Sequence, residues 1–325
     1  MRCLKCRADA CIEIRRHNAA YCEAHFVRFF LDQVERAIRE ERMFDRDEPV
    51  LVAVSGGKDS LALWDTLLDL GYRATGLYIG LGIAGYSAPS QEKTERFAKE
   101  RGAPLIVVDL ADEYGLGMDE VARRTLRAPC SACGLSKRYV FNRVAREHGF
   151  RVVATGHNLD DEAATLFGNV LRWQTGYLAR QAPVLPESED GLVKKVKPLY
   201  RLAERETAAY AVLRGIDYIV DECPNAQGAK SLLYKEALNR LEEASPGTKQ
   251  SFLFGFLDRG RPIFEAARER VAFRQCVRCG QPTTTEVCAF CRLRDEVQQR
   301  PPRRGRGRRA GRRAVAPTSA AASAE

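Results

Sequence analysis

Val50-Leu51-Val52-Ala53-Val54-Ser55-Gly56-Gly57-Lys58-Asp59-Ser60 decides the fold. Its five apolar residues read as a strand buried on both faces. Two glycines turn the chain, and a helical pattern begins at Leu61. Strand, glycine turn and helix in this order make a phosphate cradle: the glycines let backbone approach an anion, successive N–H groups point at it, and the helix N-terminus adds partial positive charge. No glycine opens a G-x-x-x-x-G-K-S/T pattern here, so the loop is not a Walker A loop. Outward from it, apolar runs at 76–79, 105–108 and 152–154 read as further parallel strands, with helical periodicity near 59–70, 90–101, 134–148 and 160–173 between them. That alternation predicts an open, parallel α/β sheet with its ligand site at the carboxyl ends of the strands. Beyond Gly191 the pattern predicts an extended segment through Val196, a helix near 203–214, a strand near 216–220 and two helices near 229–257.

Two more elements follow strands and so belong to the same sheet edge. Gly156-His157-Asn158-Leu159-Asp160-Asp161-Glu162 opens the helix after the 152–154 strand; its carboxylates suit either helix capping or phosphate chemistry. One carboxylate suits the cap while the other does chemistry, the residues alone do not rank Asp160 and Asp161, and His157 reads as structural. Pro129-Cys130-Ser131-Ala132-Cys133-Gly134 puts two thiols at the start of a helix, where a lowered pKa fits redox, metal or nucleophilic work. Cys223 in Glu222-Cys223-Pro224 follows the expected 216–220 strand, and Ala226 rules out a second C-x-x-C. Three thiols suit an iron–sulfur cluster with one iron left open. They equally suit a Cys130–Cys133 couple or persulfide carrier resolved by Cys223, and spacing alone does not rank the two.

The remaining cysteines argue against a disulfide scaffold. Cys3, Cys6, Cys22 and His25 form one pair of two-residue-spaced ligand couples, and Cys276, Cys279, Cys288 and Cys291 form another. Both have the spacing of closed, tetrahedral zinc ribbons, in which the metal would supply folding energy that such short flanks lack. Cys11 and His17 have no pairing partner and read as filler. The segment 26–45 carries Phe26, Phe29, Phe30, Val34, Ala37 and Ile38 at helical spacing, a core face rather than a base-stacking one.

With 45% hydrophobic and 29% charged residues the chain reads as a soluble globular protein. No apolar run approaches the ~20 residues of a membrane span, and the N-terminus lacks a signal-peptide core, so a cytoplasmic protein is expected. Of the net charge of +9, +7 lies in 292–325, where ten arginines face three acids, leaving +2 for the rest. The Arg-rich tail is too poor in apolar residues to fold and reads equally as a solubilising extension or an RNA-binding arm.

The two fingers, S-G-G-K-D-S, C-S-A-C-G, G-H-N-L-D-D and the lone E-C-P together resemble the TtuA-type tRNA 2-thiouridine synthetases of the TtcA/TtuA family, PP-loop ATPases that cleave ATP between the α and β phosphates. The resemblance runs from Cys3 to Cys291. It implies an adenine nucleotide alpha hydrolase-like domain over 49–272, a zinc finger at 1–26, a connecting helix at 27–48, a second finger at 273–294 and a disordered tail at 295–325. It further implies ATP held by Ser55, Gly56, Gly57, Lys58, Asp59, Ser60 and Gly156, with adenine near Leu77 to Ile79. Asp161 would act at the phosphates or their Mg²⁺, and Lys58 and Lys137 would touch phosphate. A 4Fe-4S cluster on Cys130, Cys133 and Cys223 would carry the sulfur. The implied activity is adenylation of the C2 oxygen of a tRNA uridine, most naturally T-loop position 54, and its replacement by sulfur. The implied donor is a ubiquitin-like protein with a C-terminal thiocarboxylate, and the implied assembly a homodimer. The wobble-uridine branch of the same family shares these motifs, and a persulfide-based thiolase or a zinc-ribbon RNA-binding protein with an inactive nucleotide domain are further alternatives.

Overall fold

A computed structural model describes residues 1–226, 230–267 and 272–301. The chain begins with a small hairpin, β1 (Ile12–Ile14) and β2 (Ala19–Tyr21), and passes into helix α1 (Glu23–Glu40). Then come β3 (Val50–Val54), α2 (Lys58–Asp69), β4 (Ala74–Gly80), α3 (Ser87–Arg101) and β5 (Leu105–Asp109). Short helices α4 (Leu110–Tyr114) and α5 (Met118–Arg124) lead to the long α6 (Pro129–Glu147), then β6 (Val152–Thr155), α7 (Leu159–Leu171) and α8 (Thr175–Leu178). The pair β7 (Val184–Leu185) and β8 (Lys194–Val196) precedes α9 (Glu204–Leu213), α10 (Lys230–Ala244), α11 (Thr248–Gly255) and α12 (Arg261–Ala266). A second hairpin, β9 (Arg274–Gln275) and β10 (Pro282–Thr283), ends in α13 (Ala289–Gln299).

The central sheet runs β5-β4-β3-β6-β8-β7. Five strands are parallel as the alternating pattern requires, but β7 runs antiparallel to β8, so the sheet is mixed at that edge. A two-residue edge strand carries too few residues to show a periodicity, which is why the sequence does not reveal it. Alternate strand residues face opposite sides: Val50, Val52 and Val54 join one core with Phe26, Phe30, Trp64 and Tyr210, while Leu51, Leu77 and Val153 join a second with Val140, Val144 and Phe290.

The expected strand at 216–220 is absent. The side of β8 is already covered by β7, and the segment bonds to the phosphate loop rather than to an edge strand. It runs extended across the phosphate loop, where the Ile219 N–H donates to the Gly56 carbonyl (2.8 Å), while Asp217 pairs with Arg96 (2.8 Å) and Lys93 on α3. Cys223 thus reaches the carboxyl edge by an extended arm, not by a strand.

The terminal fingers are not autonomous. Ile12, Ile14, Tyr21 and Phe26 belong to the first core, and Cys276, Phe290, Leu293 and Val297 to the second, so each ribbon draws folding energy from burial against one face of the sheet. A buried ion pair between Arg16, beside the first hairpin, and Glu206 on α9 adds a polar lock. The helix beginning at Glu23 makes Cys22 its N-cap, so finger and connecting helix overlap rather than meeting at residue 27. At the other end α13 runs to Gln299, so residues 295–299, expected in the tail, are helical; 302–325 lie outside the described residues.

Candidate active site and metal centres

The phosphate loop is built as its residues require. Gly56 has φ +74°, and a Cβ there would strike the Ser90 backbone of α3. The Ser60 hydroxyl accepts from the Ser55 N–H (3.0 Å) and donates to the Gly57 carbonyl (3.0 Å), bracing the turn. Helix α2 starts with Gly57 as N-cap and no side chain capping it, so its first N–H groups are open to an anion. Gly156 lets the second loop come close: a Cβ there would lie 2.9 Å from Asp59 backbone.

Behind the loop lies a chain of alternating charges. Lys58 pairs with Asp59 (3.0 Å) and Glu204 (2.7 Å), Glu204 with Lys235 (2.9 Å), and Lys235 with Asp161 (2.6 Å). Burial penalises the Glu204 carboxylate, but hydrogen bonds from Lys58 and Lys235 outweigh it and hold its pKa down to about 2. Burial likewise opposes the Lys58 and Lys235 cations, and their carboxylate partners overcome it, raising both above the ordinary lysine value. Asp59 also accepts from Asn158 Nδ2 (3.1 Å) and from Thr207. Asp161 completes a capping box with Asn158, accepting from the Asn158 N–H (3.1 Å). Asp160 is buried against Lys249 and accepts from the Glu204 N–H (2.8 Å), which makes it structural.

A cleft of about 350 Å³ opens in front of the loop. Ser55, Gly57, Asp59, Ser60, Ile79 and Gly156 line it together with Cys133, Lys137 and Cys223. Gly56, Lys58, Leu77, Cys130 and Asp161, also expected there, do not line it. Gly56 faces Ser90, Lys58 is drawn back to Glu204, and Asp161 is turned toward Lys235. Leu77 shares a face with Ile79 but lies two residues deeper, below the strand end where the cleft opens. The cleft also takes Tyr78, Tyr86, Ser87, Ser90, Phe141, Thr155 and His157. His157 Nδ1 lies 2.8 Å from Thr155 Oγ1.

Cys130 sits outside on α6, its thiol donating to the Asn225 carbonyl (3.2 Å), a bond that ties the Cys223 arm to the helix. The expected pKa depression does not hold for Cys133. Burial pushes its thiol up, and the nearby Lys137 offsets this only in part. A buried thiol of raised pKa is a poor free nucleophile and an ordinary metal ligand, since a bound metal removes its proton. The three thiols do not gather as tightly as the ligand quartets below, whose atoms all lie within 4.8 Å of one another. A three-thiol donor set, if it held a cluster, would leave one iron open.

Cys3, Cys6, Cys22 and His25 form one quartet and Cys276, Cys279, Cys288 and Cys291 the other, each with donor atoms mutually close enough to share one ion. His25 Nδ1 lies 3.2 Å from Cys22 Sγ and 3.5 Å from Cys3 Sγ. Burial opposes ionisation of Cys3 and Cys276, yet backbone N–H groups aimed at each sulfur, from Cys22 and from Cys288 respectively, bring both down to about 6. Thiolates stabilised by backbone N–H groups are the ligand form that zinc requires.

Glu204, Lys235, Thr207 and Asn158 escape sequence reasoning. Glu204 lies 146 residues from Lys58, and nothing local in either neighbourhood announces the pairing.

The PP-loop domain family matches residues 29–229, and the family described as the N-terminal LIM domain of the 2-thiouridine synthetase TtuA matches residues 2–27. The chain is 58% identical over 304 residues to the tRNA-5-methyluridine(54) 2-sulfurtransferase of Thermus thermophilus, covering 94% of each. It is 45% identical over 293 residues to the protein of the same name from Pyrococcus horikoshii, covering 90% of this chain and 93% of that one. Among solved structures, the U34-tRNA thiolase NcsA from Methanococcus maripaludis with its 4Fe-4S cluster superposes with a TM-score of 0.77 at 27% identity, covering 90% of this chain and 95% of that chain.

Proposed function

The chain belongs to the TtuA-type 2-thiouridine synthetases of the PP-loop family, and on that premise we propose that it is the ATP-dependent tRNA sulfurtransferase that converts the C2 carbonyl of uridine 54 to a thiocarbonyl. The observation that carries this reading is that Ser55, Gly57, Asp59 and Ser60 share one cleft with Cys133, Lys137 and Cys223. A nucleotide-activating loop and sulfur-handling thiols need to act on the same carbonyl group of the same base, one at its oxygen and the other at its carbon. Position 54 is favoured over the wobble position because the 58% and 45% identical relatives both carry that number in their names.

The open N–H groups of α2 bind the phosphates of ATP. The C2 oxygen of the uridine attacks the α-phosphorus, forming an O–P bond while the bond to the β-phosphate oxygen breaks and pyrophosphate departs. Lys137 and the α2 amides face the charge that develops. Asp59 and Asp161 would hold the Mg²⁺ that accompanies the nucleotide, Asp161 exchanging Lys235 for the ion. Adenylation turns an amide-like oxygen into a leaving group, so that sulfur adding at C2 expels AMP with that oxygen. Cys130, Cys133 and Cys223 would hold a 4Fe-4S cluster, which with three protein ligands keeps one iron free for the incoming sulfur. Tyr86 lines the cleft within electrostatic range of Cys133 and Cys223, and burial raises its pKa.

The two quartets would each hold structural Zn²⁺. A thiocarboxylated carrier protein would supply sulfur, a homodimer is the expected assembly, and the cytoplasm the expected compartment. Among the described residues no helix is long and apolar enough to cross a membrane. The reading is tested by incubating the anaerobically reconstituted protein with ATP, a sulfide source and unmodified tRNA, then mapping sulfur by nuclease digestion and mass spectrometry. Sulfur at position 54 supports it; sulfur at 34 alone moves the protein to the wobble branch, and AMP release without sulfur in tRNA contradicts it.

A further inference from the structure

Residues 121–146 and 163–186 contain no carboxylate, and the fold brings the two stretches together beside the thiols. Arg138 on α6 is coupled electrostatically to both Tyr177 on α8 and Cys133. Several exposed arginines elsewhere are matched by acids, as Arg96 is by Glu92 and Asp217. At this corner, among the described residues, Arg138, Arg172 and Arg180 pair with no carboxylate. Arg172 donates to the Gly168 carbonyl (2.9 Å), while Arg180 donates to the Gly176 carbonyl (3.0 Å) and lies over the Tyr177 ring at 5.3 Å. Lys195 on β8 adds to the excess, its pKa brought to about 8 by burial and by the Arg138 charge.

The same corner exposes aromatic rings. Trp173 is 72% and Tyr177 59% exposed. Helix α7 ends in a Schellman cap, with Gln174 N–H donating to the Asn169 carbonyl (2.9 Å) and Trp173 N–H to the Val170 carbonyl (3.0 Å). That motif wants glycine at the left-handed position, yet Trp173 holds it at φ +47°. The turn is locked from beneath by the buried relay Asn169–Gln181 (3.2 Å) and Gln181–Glu162 (3.0 Å). A large ring kept in an unfavourable backbone conformation and left 72% exposed is explained by no packing among the described residues.

We propose that Trp173 and Tyr177, with Arg138, Arg172 and Arg180 around them, form a docking surface for an unpaired stretch of the substrate tRNA, the rings stacking on bases and the guanidinium groups neutralising phosphates. This rests on the thiolase reading and adds where the RNA enters. A polyanion satisfies every unpaired cation of the corner, whereas a second copy meeting it about a two-fold axis would set arginine against arginine.

The chain has two tryptophans, and Trp64 is fully buried, so Trp173 reports on its own surroundings. Full-length anaerobic protein is titrated with unmodified tRNA at several salt concentrations, following tryptophan emission and filter binding. Binding should quench Trp173. Trp173→Ala should weaken tRNA about five- to 150-fold, Trp173→Phe should restore most of that loss, and Arg180→Gln should lower the slope of log K against log salt by about 1. ATP binding and iron content should stay at wild-type levels in all three. Unchanged tRNA affinity in Trp173→Ala overturns the proposal, and a variant that loses self-association while keeping tRNA affinity assigns the corner to a subunit interface instead. Wild-type protein that binds no tRNA overturns the thiolase reading beneath it as well.

Discussion

Three residues test the site most sharply. Gly56 occupies φ +74° against Ser90, so Gly56→Ala should cost about 1–3 kcal/mol of stability and abolish ATP binding, read by denaturant unfolding and equilibrium dialysis. Cys223 lines the cleft and only borders the second core, partly buried, so Cys223→Ala should keep fold and ATP affinity while losing thiolation; full activity in that variant would remove the thiols from the mechanism. Glu204 titrates near 2 in the folded chain against an ordinary 4.5, so its contribution is complete above about pH 4.5 and is lost as pH falls toward 2. Glu204→Gln should therefore be less stable at neutral pH and show a flatter acid limb, measured by urea unfolding across pH 2–7. Residue roles were legible where chemistry and chain neighbourhood coincide. Ser55, Gly57 and Ser60 are read from one hexapeptide, whereas the turning of Lys58 and Asp161 away from the cleft depends on Glu204 and Lys235, far along the chain.

At the scale of elements, the central strands β3, β4 and β6 and their helices follow from apolar runs and 3.6-residue periodicity because these strands are buried on both faces. The segment 216–220 has the composition of a strand but joins no edge of the sheet, and sheet membership is a property of neighbours that local sequence does not encode. Its tether to the loop gives a test: Ile219→Pro removes the N–H donated to Gly56 and should lower ATP affinity and thiolation together, with far-UV circular dichroism unchanged. The ribbons were legible from ligand spacing, and their docking was not, since Ile12, Ile14 and Tyr21 are three residues in a short hairpin. Because they pack on the main cores, removing the zinc proposed for the two quartets should lower Tm by roughly 2–4 °C for each kcal/mol lost and leave the α/β signature intact, as calorimetry with and without chelator would show. Complete unfolding on chelation would mean that metal, not burial, holds the fingers.

For the whole molecule, the sheet lines up three loops at one edge, two of them beginning helices α2 and α7 and the third brought in by the arm to Cys223, so the residues proposed for activation and for sulfur delivery share one cleft of about 350 Å³. One ribbon braces each face of the sheet, and the cationic corner of α7 and α8 borders the thiols. The claim that this cleft adenylates and then thiolates a tRNA uridine is tested most directly by single-turnover thiolation, anaerobically, with wild type and Cys223→Ala. Wild type should release one AMP for each sulfur fixed at position 54, and the variant should bind ATP but fix none. Sulfur appearing in tRNA without AMP release, or at equal rate in the variant, would contradict it.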